Sequence, residues 1–331
     1  MDVVLKSILK DEIAEFLKFI KLSVADSTYS AYQRTLIDFD YFLYTENFVE
    51  RKLDADIINR WLNSLTVNNS TKVNKLSKLR RLSIYLFAHS IPSTFPELSR
   101  RTTSEFKPYV FTKDEMIQIF EVADDLVLEN PKSRIAAEFP LLLRVLYGCG
   151  LRLGEAISLT WDSIDLDCGI ITIKIAKNQK QRLVPMSDEL TRILNLYRNT
   201  PCFEATDDGL VFKKNNGQPR TNRAYWGIFD KILSELGIKN TQTVKCGKRG
   251  PCIQSLRHTF TLHSLLKSES EGKSFIEYVP FLSTYLGHER LMHTDVYLKA
   301  RHELYTESHA IIADYITDVF PQIADVFPQE V

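Results

Sequence analysis

The chain has 331 residues, of which 44% are hydrophobic and 25% charged, and its 42 basic side chains balance 42 acidic ones. This length exceeds the usual size of a single hydrophobic core, so two domains are expected. Zero net charge argues against a protein that coats nucleic acid indiscriminately, and the lack of a run of about 18 apolar residues argues against a membrane span. The charged N-terminus is unlike a signal peptide, and five scattered cysteines indicate reduced thiols, so we expect a cytoplasmic protein.

Positive charge is concentrated in one band of the sequence. Residues 61–111 carry eight Lys or Arg and two Asp or Glu, whereas residues 300–331 carry one basic and six acidic side chains. A local basic band is typical of a surface that binds phosphate backbones, although a solvated helix face has the same composition. We predict that basic residues of this band bind DNA, namely Lys72, Lys75, Lys78, Arg80, Arg81, Arg100 and Arg101.

Four helices are predicted within residues 1–90, because apolar residues recur there at helical spacing. Asp54 is placed to cap the third helix, and Asn69 or Ser70 to cap the fourth. One face of the fourth helix is expected to carry the basic residues of positions 72–81. Its apolar face is expected to comprise Val73, Leu76, Leu79, Ile84 and Leu86 or Phe87.

A linker is predicted over residues 91–110, which contain three prolines and no clean periodicity. Thr112 and Glu115 then have the spacing of a capping box, which opens a second domain over residues 111–331. This domain is expected to end in a tail from about residue 300. The order of helical and period-two segments predicts a mainly α chain with a small β-hairpin, an α+β fold.

Several elements of the second domain are predicted from local patterns. A buried helix over residues 136–148 is expected to end at Gly148 and Gly150. Residues 170–186 alternate with period two around a polar turn, which predicts the hairpin. Residues 210–212 are expected to form a short strand, and Trp226 to point inward from the helix that follows.

A set of reactive side chains is distributed along this domain. Arg152 follows the glycine turn, Arg257 lies on a helix expected to begin at Gln254, and Tyr297 comes nine residues after His288. Arginine forks clamp phosphate oxygens and stabilise negative charge that grows in a transition state. A tyrosine can hold a covalent intermediate, and a lysine or histidine can transfer protons. These residue types predict metal-free attack by a hydroxyl on a phosphodiester.

Five motifs make the chain similar to the tyrosine recombinases, the phage-integrase family. They are GLRLGEA, AKNQKQRLVP, SLRHTF, LGH and TDVY, in the family's order across roughly residues 110–300. The resemblance selects Lys177, the lysine that precedes the hairpin turn, over Lys174, Lys180 and Arg182. It departs at Gln254, where the family usually has a histidine. A glutamine amide can donate a hydrogen bond to phosphate but cannot take up a proton at neutral pH.

The resemblance implies an N-terminal helical core-binding domain and an integrase-like catalytic domain. Tyr297 would form a 3′-phosphotyrosine while Lys177 protonates the leaving 5′ oxygen, without a cofactor or a metal. Strands would be exchanged between paired double-stranded sites in a homotetramer, with an accessory protein as a further partner. The reaction would serve integration, excision or transposition of a mobile element. The implied catalytic set is Arg152, Lys177, Gln254, Arg257, His288 and Tyr297.

Alternatives stay open on the sequence alone for the reaction, for Glu155, for the nucleophile and for the tail. The same chemistry would suit a type IB-like topoisomerase, and a non-catalytic DNA-binding relative would need none of it. Glu155 could orient Arg152 or simply favour the start of a helix. Tyr305 is the rival nucleophile to Tyr297. An apolar stripe in the acidic tail could dock on its own domain or on a neighbouring protomer: Ile312, Tyr315, Ile316, Val319 and Phe320.

Overall fold

The computed structural model describes residues 5–97, 108–130, 132–174, 181–199, 209–238 and 250–287. The chain divides into two compact units, Met1–Ser104 and Glu105–Val331. Within the described ranges, no helix is both long enough and apolar enough to cross a membrane. The mainly helical fold with a small sheet, expected from the sequence, is confirmed.

The first unit consists of the four predicted helices, α1 (Lys10–Lys21), α2 (Asp26–Thr45), α3 (Ala55–Ser64) and α4 (Asn69–Ala88). Helix α1 packs against α2 and α4, and α2 also packs against α4. The Asp54 carboxylate accepts a hydrogen bond from the Ile57 amide, so its predicted capping role is confirmed. The predicted cap of α4, Asn69 or Ser70, was wrong. The capping residue is Asn68, whose side chain accepts a hydrogen bond from the Thr71 amide at 2.8 Å.

The apolar face of α4 differs from the prediction at one position of its C-terminal half. Ile84 is exposed and Leu82 is buried instead. Of the two alternatives offered for the end of this face, Leu86 is buried and Phe87 is exposed. The start of the predicted linker also belongs to this unit. Ile91 is buried, and residue Ser93 forms a parallel bridge with Leu53.

Within the described residues of the second unit, the helices are α5 (Lys113–Glu129), α6 (Arg134–Cys149), α7 (Leu153–Ile157), α8 (Asp188–Arg198), α9 (Asn222–Glu235), α10 (Ser255–Ser270) and α11 (Phe275–Leu286). The unit is built around α6, whose residues are buried over nearly its whole length. Helix α6 packs against α5, α7, α8 and α10. The predicted capping box of Thr112 and Glu115 opens α5 and is confirmed.

A small antiparallel sheet follows α7 and a short 3-10 helix. Its strands are β1 (Ile164–Asp165), β2 (Ile170–Lys174) and β3 (Gln181–Pro185), in the order β1-β2-β3. Strands β2 and β3 form the predicted hairpin, and Ile173 pairs with Arg182. Strand β1 was not predicted, because two residues are too few to show a period.

Two further expectations for this unit were wrong. Residues 210–212 do not form a strand, since Leu210 makes only an isolated bridge with Thr160. Trp226 is exposed, and Tyr225 takes the buried position on α9 instead. A three-residue segment is too short for its pattern to identify a strand, and on α9 the adjacent aromatic residue satisfies the helical pattern as well as Trp226 does.

Candidate active site

Arg152 is held by a sharp change of chain direction between two helices. Gly150 ends α6 in the left-handed conformation with φ 59°, which a residue without a Cβ adopts at little cost. Gly148, the other predicted end, lies inside α6. Arg152 then immediately precedes α7, and its side chain remains 43% exposed. An arginine at a rigid turn with an exposed guanidinium can receive a ligand without moving the backbone.

Glu155 fixes the orientation of Arg152. Its Oε2 atom accepts from the Arg152 backbone amide at 2.9 Å, and its Oε1 atom accepts from Arg152 Nη1 at 2.9 Å. The two interpretations left open by the sequence are therefore both correct, because one carboxylate caps the first turn of α7 and orients the guanidinium.

Arg257 is buried on α10, with a side chain only 3% exposed. Its Nη1 atom donates to the Gly150 carbonyl at 2.8 Å, and its Nη2 atom donates to the Leu286 carbonyl at 2.6 Å. Nη1 also lies 3.7 Å from Glu155 Oε2. The guanidinium of Arg257 thus joins the ends of α6 and α11 and lies beside the carboxylate that holds Arg152.

The end of α11 completes this arrangement. Gly287 ends α11 in the left-handed conformation with φ 66°, a common way for a helix to end. Its carbonyl accepts from Arg152 Nη2 at 3.4 Å. Both predicted phosphate-binding arginines therefore donate to carbonyl groups of consecutive residues, Leu286 and Gly287, directly before His288 in the sequence.

Arg182 is a site residue that sequence reasoning passed over in favour of Lys177. Its Nη1 and Nη2 atoms donate to Oε1 and Oε2 of Glu155 at 3.1 and 2.7 Å. Burial by itself raises the pKa of Glu155, but hydrogen bonds from Arg182 and the Arg152 amide outweigh it and lower the pKa to about 2. The signal that could have identified Arg182 is its position in the hairpin. It lies opposite Ile173, whose side chain is buried, so the Arg182 side chain is on the same inward face.

Gln254 immediately precedes α10, three residues before Arg257, and is partly buried. Its side chain makes no capping hydrogen bond. The predicted residues Lys177, His288, Tyr297, Arg100 and Arg101 lie outside the described ranges. Among the residues that the structure does describe, no group of three or more His, Cys, Asp or Glu has a geometry suited to a metal ion.

The basic residues of α4 do not share one face, so this expectation was wrong. A helix turns by about 100° per residue, which distributes positions 72–81 around the axis. Lys78 is only 8% exposed, and its ammonium donates to the carbonyl and side-chain oxygens of Asn74 at 3.1 and 2.8 Å. Burial lowers the pKa of Lys78. A lysine enclosed in this way is poorly placed to bind phosphate.

Three other cations of α4 contact protein groups but are less enclosed than Lys78. Lys75 pairs with Asp38 at 2.6 Å, and Arg80 donates to the Pro96 carbonyl at 2.8 Å. Arg81 is exposed and donates to the Tyr32 hydroxyl at 3.2 Å. Lys72 is partly exposed near the start of the helix.

Residues 109–303 match the family model described as "Phage integrase family", which is more than half of the chain. The chain belongs to the phage integrase family. This family comprises the tyrosine recombinases, so the protein is a site-specific tyrosine recombinase, an enzyme that cleaves and rejoins DNA strands. The family resemblance inferred from the five motifs is thus confirmed.

Named relatives of this integrase-family chain match it over most of its length. The tyrosine recombinase XerC of Thermodesulfovibrio yellowstonii is 26% identical over 321 residues, covering 90% of this chain and 96% of the relative. The XerH recombinase bound to its difH substrate has a TM-score of 0.63 at 18% identity, covering 93% and 99% of the two chains. The Tn1549 transposon integrase has a TM-score of 0.62 at 15% identity, covering 89% and 98%. The two structures show that the fold is shared.

Replacing Gly150 by alanine should damage this integrase-family site through its backbone. The new Cβ would lie 2.3 Å from Phe260 Cδ1, at a residue with φ 59°. Left-handed strain and overpacking together should cost roughly 2–5 kcal/mol of folding free energy. The strand-cleavage rate should fall as well, because the Gly150 carbonyl anchors Arg257.

The matched control is Gly154→Ala, at a helical glycine with no atom within 4 Å of the added Cβ. This substitution should change stability by at most about 1 kcal/mol and in the stabilising direction. Thermal unfolding of both variants and their cleavage rates provide the comparison. Equal melting temperatures for the two variants would contradict the role assigned to the Gly150 turn.

Proposed function

We propose that the protein recombines paired double-stranded DNA sites through a covalent 3′-phosphotyrosine at Tyr297, in a homotetramer and without ATP or a metal cofactor. The observation that supports this proposal is the convergence of the guanidinium groups of Arg152 and Arg257 on one carboxylate, Glu155. A rigid pair of arginines is the arrangement that a scissile phosphate requires, because charge on its oxygens is stabilised by donors already in place.

In the proposed cleavage step, the Tyr297 oxygen forms a bond to phosphorus and the bond from phosphorus to the 5′ oxygen breaks. Lys177 donates a proton to the departing 5′ oxygen, and His288 receives the tyrosine proton or donates to a phosphate oxygen. Gln254 donates an amide hydrogen bond to the phosphate. A 5′-hydroxyl from the partner duplex then reverses the step, so the energy of the phosphodiester bond is conserved.

The N-terminal helical unit is proposed to be the core-binding domain, joined by a linker to the catalytic domain. Its less enclosed cations would bind the phosphate backbone and supply affinity more than sequence preference. These are Lys72, Lys75, Arg80 and Arg81, together with Arg100 and Arg101 beyond the helix. The tail from about residue 300 would mediate assembly by docking on a neighbouring protomer, with docking on its own domain as the alternative. An accessory protein would be a further partner, and the reaction would take place in the cytoplasm.

The relatives favour a role in moving or resolving DNA elements. One protein of similar fold is a transposon integrase, and another is a site-specific recombinase bound to difH. We therefore propose that the chain serves integration, excision or transposition of a mobile element. A type IB-like topoisomerase would cleave identically but rejoin the same strand, and a non-catalytic relative would not cleave.

One experiment tests the proposal. The protein is incubated, with EDTA and without ATP, with nicked duplexes that carry its recombination site, and the products are separated under denaturing conditions. A covalent complex that peptide mass spectrometry maps to Tyr297, followed by strand exchange between two duplexes, is expected. In a parallel reaction on supercoiled plasmid DNA, relaxation without strand exchange would indicate the topoisomerase, and DNA binding without a covalent complex in either reaction would reject catalysis.

A further inference from the structure

Arg182 is a charged residue directed inward by the register of the sheet. It pairs with Ile173, and its neighbour two residues later, Val184, pairs with Ile171. These three apolar partners are buried, whereas Leu183 between them is 62% exposed. The alternation of side chains along a strand therefore places an arginine on the core face and a leucine in solvent. Such an inversion is costly unless the buried charge has a specific partner.

The partner of Arg182 is the carboxylate that holds Arg152. The Arg182 side chain is only 9% exposed, and its two terminal nitrogens form a two-point ion pair with Glu155. A two-point pair fixes the plane of the carboxylate as well as its position. Because Glu155 binds both the amide and the guanidinium of Arg152, the orientation of Arg152 depends on this pair.

Arg182 also contacts the end of α11. A Cβ built on Gly287 would lie 2.9 Å from Arg182 Nη1, so the guanidinium packs directly against this glycine. The Gly287 carbonyl accepts from Arg152 Nη2. Arg182 therefore contacts both groups that restrain the Arg152 side chain, the Glu155 carboxylate and Gly287.

We propose that Arg182 is a positioning residue for DNA cleavage, which acts through Glu155 to hold Arg152 in line with the scissile phosphate. Both terminal nitrogens of Arg182 already bind Glu155, so its effect reaches the substrate through Arg152. A further part of this role is electrostatic. Three guanidinium groups surround one carboxylate, so the cluster keeps a net positive charge toward the phosphate. The inference rests on the proposed function.

The test compares Arg182→Gln with wild type under single-turnover conditions on two substrates. One carries an ordinary scissile phosphate, and the other carries a methylphosphonate, which lacks the negative charge that Arg152 stabilises. On the phosphate, the variant should cleave about tenfold to a hundredfold more slowly, the usual effect of a small misplacement of a catalytic group. On the methylphosphonate, the ratio of wild-type to variant rates should shrink several-fold. DNA affinity should be nearly unchanged.

The controls separate this role from a folding defect. Arg192→Gln removes an arginine of the same unit that pairs with Glu189 at an exposed site, and it should leave both rates unchanged. If Arg182→Gln does not fold, Arg182→Lys takes its place, because it retains the charge and one contact with Glu155. The same fall on both substrates, or wild-type rates on the phosphate, would overturn the proposal. Failure of wild type to form any covalent complex would instead reject the proposed function itself.

Discussion

Replacing Tyr297 by phenylalanine is expected to abolish the covalent protein–DNA complex while leaving DNA binding largely intact. The substitution removes a single hydroxyl, which is the proposed nucleophile, and leaves the size and the apolar surface of the ring nearly unchanged. Without a nucleophilic oxygen, no phosphotyrosine bond can form, however well the phosphate is held. A denaturing gel of the product with a nicked substrate measures the covalent complex, and a native gel measures binding.

The matched control is Tyr305→Phe, which removes the rival hydroxyl eight residues further along the chain. This variant should form the covalent complex at the wild-type level. If the complex persists in Tyr297→Phe and is lost in Tyr305→Phe, the nucleophile is Tyr305 and the assignment by motif spacing is wrong.

Replacing Arg257 by lysine should lower the cleavage rate by about 10²–10³-fold, corresponding to the roughly 2.7–4 kcal/mol lost when one transition-state donor is removed. The structural reason for this loss is that a guanidinium presents two terminal nitrogens in a fixed plane. Its two terminal nitrogens bind the carbonyls of Gly150 and Leu286, which an ammonium with one nitrogen cannot do together. One of these buried carbonyls would lose its donor, which should also cost about 1–3 kcal/mol of stability.

Single-turnover cleavage, DNA affinity and thermal unfolding of Arg257→Lys distinguish these effects. The control Arg192→Lys makes the same change at an exposed arginine of α8 and should alter none of the three. A near-normal cleavage rate for Arg257→Lys, with the protein folded, would show that the two-point geometry of this arginine is not required.

Features of the fold were predicted correctly from sequence where the signal is contained in a few neighbouring positions. Thr112 caps α5 and Asp54 caps α3 by side-chain contacts within one helical turn, and Gly150 ends α6 by its left-handed backbone. Arg152 and Arg257 were identified by motif words rather than by geometry. Only the folded chain shows that the two arginines lie close together. There, Arg257 binds the carbonyl of Gly150, which lies 107 positions earlier in the chain.

The errors have a common physical origin. Lys78 was assigned to a basic surface, but packing of α4 against its neighbours encloses it, and Asn74 binds its ammonium. Trp226 and Tyr225 are adjacent aromatic residues, and only the packing of α9 decides which of them is buried. In each case the local pattern is compatible with a buried and with an exposed side chain, and long-range contacts decide between them.

The sequence by itself determined the family, the mainly helical architecture, the caps of α3 and α5 and two arginines of the candidate site, because these depend on short motifs and on local backbone preferences. Only the tertiary structure decided that Glu155 joins Arg152, Arg182 and Arg257. The reason is that the buried guanidinium groups of Arg182 and Arg257 need a charged partner, and this partner is distant from both in sequence. Which residues meet is set by the register of β3 and the packing of α10 on α6, and neither is a local property of the chain.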